Sequence, residues 1–211
     1  TNVVVLPTHI IDGIENHRMK QVVQEYAQDF ASIAVADALL ATEEDYETVA
    51  KALWESLKDE VGDAPLILMG HGTEHVADGS YEIFETAIRN YADHEIYIAT
   101  VEGAVTIEDV IVRMQKKHAS STNKKMSNQR VVVTPFMLVA GDHANNDMAG
   151  GMQEAEDGEP EEDSFAGKLQ VAGYAPDCII RGIGEYPAIR EIYMAHLRSK
   201  TSEVFSENNA C

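Results

Sequence analysis

Apolar positions along this chain follow two patterns that alternate from start to end. Short continuous runs mark buried parallel strands, and runs at three- and four-residue steps mark helices with one apolar face. Val3 to Leu6 reads as a strand, followed by a helix from Ile14 to about Phe30 and a second strand from Ser32 to Ala36. Thr42-Glu-Glu-Asp45 has the form of a capping box, with an acidic residue three places after the cap. Behind it, Tyr46, Val49, Ala50, Leu53, Leu57 and Val61 recur at helical spacing until Gly62 closes the helix. Asp63-Ala-Pro65 then breaks the chain, which sets an expected domain boundary between 1–62 and 63–211.

The second half repeats the unit. A strand from Pro65 to Gly70 ends at His71, and one from Ile96 to Val101 ends at Glu102. A longer apolar run from Val131 to Asp142 ends at His143. Helices carrying Tyr81, Phe84, Ile88 and Tyr91, then Ile107, Val110, Ile111 and Met114, follow the first two. Lys116 to Arg130 is polar and basic and reads as an exposed insertion. A helix around Phe165 to Val171, a strand at Cys178 to Ile180 and a final helix from Pro187 to about Leu197 complete the chain. This alternation predicts an α/β fold of two Rossmann-like domains, parallel sheets flanked by helices, with the last helix packing back on the first domain.

Composition narrows the partners. With 36 acidic and 16 basic residues, a net charge of −20 argues against nucleic acid, which needs clustered Lys and Arg. Seven of the ten residues from Glu154 to Asp163 are acidic and read as a solvated loop. Two cysteines, Cys178 inside an apolar run and Cys211 at the last position, make neither a disulfide framework nor a thiolate cluster. No apolar stretch approaches the roughly 20 residues of a membrane span. The expected compartment is the cytoplasm, with an exported form left open, as is a homo-oligomer.

Ligands of open α/β sheets bind beyond the carboxyl ends of the strands. Two imidazoles and a carboxylate, each at such an end, would therefore converge on one cation: His71, Glu102 and His143. That donor set suits first-row divalent ions without choosing among them. Gly70 and Gly72 bracket His71, so a turn is expected there, with backbone free to approach a ligand. Asp142 would either fix the His143 tautomer or bind turn amides, and Asn145, Asn146 and Asp147 would build that turn or touch a substrate. His9 ends the first strand and would line the same cleft from the other domain. His17, His94, His118 and His196 read as surface residues, and Tyr46 and Trp54 as core. Gly182 and Gly184 leave the dinucleotide fingerprint incomplete, so a tight turn is expected and no nucleotide. Neither a Gly-x-Ser-x-Gly elbow nor an HExxH helix is present.

Taken together, these segments resemble the anaerobic cobalt chelatases that act on sirohydrochlorin or its precursor. The likeness rests on residues 69–75 (Met-Gly-His-Gly-Thr-Glu-His), Val101-Glu102, residues 135–149 around Gly141-Asp-His143, residues 182–190, and residues 7–13. It implies a class II chelatase architecture, two α/β domains facing across a tetrapyrrole cleft, with His71, Glu102 and His143 binding the metal. Family members usually begin with a strand, a Gly/Ser/Thr-rich turn and a helix. These have no counterpart here, so the resemblance implies a first domain that is incomplete.

The expected activity is a lyase-type insertion of Co²⁺, as substrate metal, into sirohydrochlorin or precorrin-2 in anaerobic cobalamin synthesis. His71 and His143 would share ligation and proton acceptance, while His9, Gly72 and Asn146 would contact the tetrapyrrole. The alternatives are a non-catalytic carrier of tetrapyrrole or metal, and a chelatase for iron or nickel.

Overall fold

The computed structural model describes residues 1–119, 128–151 and 158–207. It contains two parallel sheets. The smaller pairs β1 (Asn2–Val5) with β2 (Ser32–Val35) through the helix α1 (Ile14–Glu25). The larger is built from β3 (Leu66–Gly70), β4 (Ile96–Thr100), β5 (Gln129–Pro135) and β6 (Tyr174–Cys178), in the order β4-β3-β5-β6. The helices are α2 (Glu43–Val61), α3 (Gly79–Ala92), α4 (Ile107–Ala119), α5 (Phe165–Val171) and α6 (Pro187–Glu207).

The strands β3, β4 and β5 of the large sheet are buried on both faces because they alternate apolar side chains between two cores. Leu66, Leu68, Ile96, Ile98 and Val132 meet Phe84 and Ile88 of α3, Leu53 and Leu57 of α2, and Ile189 and Ile192 of α6. Ile67, Met69, Tyr97, Ala99, Val131 and Val133 meet Val110 and Met114 of α4 and Phe165 and Leu169 of α5. Each Val, Leu, Ile, Phe or Met side chain among these, taken fully out of water, contributes about 1.5–3 kcal/mol. The first core also takes in Leu6, Ile10 and Ile11 from the segment after β1 and Leu39 and Leu40 from the segment after β2.

The α2 cap forms as its sequence predicts. The Asp45 backbone N–H donates to Thr42 Oγ1 at 3.3 Å, and Thr42 N–H donates to Asp45 Oδ2 at 2.8 Å. The α6 helix lies against β1, β2 and α2. Its Tyr193 hydroxyl donates to the carbonyls of Thr8 and His9, at 3.3 and 3.2 Å. No helix among the described residues is long and apolar enough to cross a membrane.

Several boundaries differ from expectation. The first helix ends at Glu25 and tightens into a 3-10 turn over Ala27–Asp29 instead of running to Phe30. The β5 strand stops at Pro135, so the run from Phe136 to Gly141 is loop, and β6 precedes rather than contains Ile179 and Ile180. Within the basic stretch, Lys116 to Ala119 belong to α4 and Gln129 to Arg130 to β5; residues 120–127 lie outside the described residues. The same holds for residues 154–157 of the acidic run.

Four histidines expected at the surface have partners. His196 Nε2 lies 2.9 Å from Asp45 Oδ1, with both side chains largely buried. His118 Nε2 lies 3.3 Å from Glu95, and His94 packs on Trp54 and reaches the Ala64 carbonyl. His17 lies edge-on to His75 and 3.4 Å from Asp12. Apart from His17 and Asp12, the ion-pair and hydrogen-bond partners lie far apart in sequence, so periodicity carries no trace of them.

Candidate functional site

In the order β4-β3-β5-β6, the chain winds from β3 to one side and then crosses to β5 on the other. The switch point of the sheet therefore lies between β3 and β5, where a crevice opens at the strand ends. Pairing of β3 with β4 continues past the strands: Val101 N–H donates to the Gly70 carbonyl and Glu102 N–H to the His71 carbonyl, at 3.1 and 2.8 Å. That register sets His71 beside Glu102, and His71 Nδ1 lies 3.7 Å from Glu102 Oε2.

His143 arrives by another route. Loop residues 136–141 lead to Asp142 and His143, then to a π-helical turn over Ala144–Met148 that Ala149 N–H closes on the Ala144 carbonyl at 3.3 Å. The His143 ring stands edge-on to His71, centroids 4.8 Å apart and planes at 89°. His71 thus neighbours both of the other expected residues, Glu102 on one side and His143 on the other. Among the described residues, no three His, Cys, Asp or Glu are already closed into a metal-holding cluster.

The hydrogen bonds fix both ring tautomers. His143 Nδ1 lies 2.6 Å from Asp147 Oδ2, and His71 Nδ1 lies 3.0 Å from the Gly72 carbonyl. Carboxylate and carbonyl oxygens only accept, so both Nδ1 atoms donate, and in the neutral rings the lone pair is on Nε2. His75 is the opposite case. Its Nδ1 accepts from Ala77 N–H at 3.1 Å, which leaves the proton on Nε2 and no lone pair for a metal. Asp147, not Asp142, is the tautomer-fixing partner, and its spacing of four from His143 on a helical turn was the available signal.

A cleft of about 660 Å³ opens beside His71 and Glu102, walled by Gly72, Tyr81 and Phe136 on one side and by His9, Ile10 and Ile11 on the other. His9 therefore shares the cleft with His71, and its Nδ1 is buried without a hydrogen-bond partner among the described residues. Tyr81 lies under the loop, and its hydroxyl oxygen accepts from Gly72 N–H at 3.3 Å. Burial pushes that hydroxyl's pKa up, so it stays protonated. Asn146 faces elsewhere: its amide donates to Asp142 Oδ1 at 2.7 Å, and it is not part of the cleft wall.

Gly182 and Gly184 form the tight turn expected of them. A Cβ on Gly182 would lie 2.5 Å from Val139 Cα, so only glycine allows the 137–139 loop to pass.

Comparison with known proteins identifies the family. The family described as cobalt chelatase (CbiK) matches residues 1–202. The sirohydrochlorin cobaltochelatase CbiKC of Nitratidesulfovibrio vulgaris is 30% identical over 205 residues, covering 96% of this chain and 66% of that protein. The sirohydrochlorin cobaltochelatase of Salmonella typhimurium is 28% identical over 209 residues, covering 98% and 71%. This chain thus spans about two thirds of the length of these curated relatives. A solved structure of SirB from Bacillus subtilis with Fe³⁺ superposes with a TM-score of 0.62 at 15% identity, over 94% of this chain and 71% of that one. At that identity the likeness is one of fold.

Proposed function

The chain belongs to the cobalt chelatase (CbiK) family, and on that footing we propose that it inserts Co²⁺ into sirohydrochlorin or a closely related tetrapyrrole. One observation carries the proposal: His71, on the wall of a cleft with Glu102, stands beside both the Glu102 carboxylate and the His143 ring, and the hydrogen bonds of both imidazoles are made through Nδ1. Two relatives named sirohydrochlorin cobaltochelatases support the substrate and the metal, and favour the enzyme over a carrier.

Insertion breaks two pyrrole N–H bonds, forms bonds from the ring nitrogens to the ion, and releases two protons. In this reading His71 and His143 first hold the Co²⁺ through Nε2, while Glu102 offsets its charge. As the ion moves onto the ring nitrogens, the vacated imidazole lone pairs accept the protons. An open donor set suits this task, because a closed cage would bind the ion too well to release it. Asp147 keeps His143 in the ligating tautomer. His9 and the Gly72 backbone would contact the tetrapyrrole, and Asn146 would steady the turn through Asp142.

The test is a visible-spectrum assay with sirohydrochlorin and Co²⁺, run beside Ni²⁺ and Fe²⁺. Repeated turnover that His143→Ala abolishes, with an unchanged melting curve, is the expected result. A spectral change that stops at one equivalent would indicate a carrier, and equal turnover by the variant would overturn the site.

A further inference from the structure

The loops that carry His71 and Glu102 touch through their backbones. Gly72 holds φ +82°, and a Cβ there would lie 2.7 Å from Gly103 Cα and 2.8 Å from Thr100 Cβ. Two loops this close need something to keep them in register, since their own bonds to each other end at Glu102 N–H.

A single half-buried carboxylate spans them. Asp78 Oδ1 accepts from Thr73 N–H at 3.0 Å, on the His71 loop, and Asp78 Oδ2 accepts from Ala104 N–H at 2.9 Å, on the Glu102 loop. Asp78 itself is anchored, because it closes the 3-10 turn Val76–Asp78 from which α3 starts. Two further bonds stiffen the same unit: Tyr81 under Gly72, and Thr100 Oγ1, which donates to the Val105 carbonyl at 3.0 Å.

We infer that Asp78 is a positioning residue, which locks the β3 and β4 loops together and so fixes the separation of His71 from Glu102. It touches neither of those side chains. The inference rests on the metal-site reading above. Its chemistry is that of a two-oxygen acceptor: both oxygens are required, one for each loop, so a side chain with one acceptor restores only one link.

The test uses the chain with Co²⁺ alone, following the visible absorption of the bound ion in wild type, Asp78→Ala, Asp78→Asn, His71→Ala and His143→Ala. Melting curves are recorded for each variant. Asp78→Ala is expected to weaken Co²⁺ binding roughly ten-fold and to change the band shape, with Asp78→Asn intermediate. Unchanged affinity and bands in Asp78→Ala, while both histidine variants lose the signal, would overturn the positioning role and leave the site standing. Bands that survive both histidine variants would instead remove the site, and this inference with it. If neither Asp78 variant folds, Asp78 is a stability determinant of the fold and the positioning role is also overturned.

Discussion

The two sides of the candidate site are built in opposite ways. His71 and Glu102 extend from adjacent buried strands, in loops tied by backbone bonds, by a glycine no other residue can replace, and by Asp78. His143 sits on a π-helical turn beyond a stretch of loop, and the hydrogen bond that aims its ring comes from Asp147, one turn away. One side gains its accuracy from the sheet and the other from a local pair. The difference teaches where each side should fail: the first through the backbone, the second through the side chain.

The largest expected effect is on chemistry. His143→Ala should lower kcat by about 10² to 10⁴, the usual contribution of a positioned acid–base group. With the ring 35% exposed, the melting temperature should move little. A large loss of stability would mean that the turn depends on the ring for packing, and the contrast between the two sides would fail.

Next comes the backbone. Gly72→Ala forces an L residue to φ +82° and drives a methyl into Gly103 and Thr100. Left-handed strain and overpacking together should cost about 3–5 kcal/mol in denaturant unfolding. A variant as stable as wild type would show that the loops are free to part.

The local pair should give a smaller and purely functional effect. Asp147→Ala removes the acceptor that holds Nδ1–H, so His143 can populate the wrong tautomer. Roughly 10- to 100-fold in metal affinity or turnover should be lost, with unfolding unaffected. Isothermal titration with Co²⁺ would expose the idea as wrong if affinity held.

Much of the fold was legible because burial on both faces writes a strand as an unbroken apolar run. The ends at His71 and Glu102 were legible for that reason. The β5 end was not. Phe136, Met137 and Leu138 continue the run, but they line the cleft rather than the sheet. Phe136 N–H still donates to the Met69 carbonyl at 2.7 Å, and its ring lies flat on Phe84 with centroids 4.4 Å apart, so core packing explains its apolarity. The donors around the site are legible as residue types, whereas Asp78 carries no signal and Asp147 reads only as a turn residue or substrate contact beside Asn145 and Asn146. Asp78 acts on backbone N–H groups, which every residue but proline offers, and Asp147 looked like one polar turn residue among four. His196 and Asp45, 151 positions apart, were beyond any local pattern.

The smallest expected effect isolates the comparison, because it repeats the glycine substitution on the other side. Gly141 precedes His143 much as Gly70 and Gly72 flank His71, and sequence alone gives no reason to treat them differently. A Cβ on Gly141 meets nothing within 4 Å, and its φ is not in the left-handed region. Its carbonyl accepts from the backbone N–H groups of Ala144 and Asn145, bonds that an added methyl leaves in place. Gly141→Ala should therefore lie within about 0.5 kcal/mol of wild type, or slightly above it because alanine loses less backbone freedom on folding. Measured beside Gly72→Ala, the pair gives a difference of several kcal/mol for the same chemical change. Equal losses at both positions would mean that the His143 turn is as tightly clamped as the strand loops, and that the π-helical turn is held by more than Asp147.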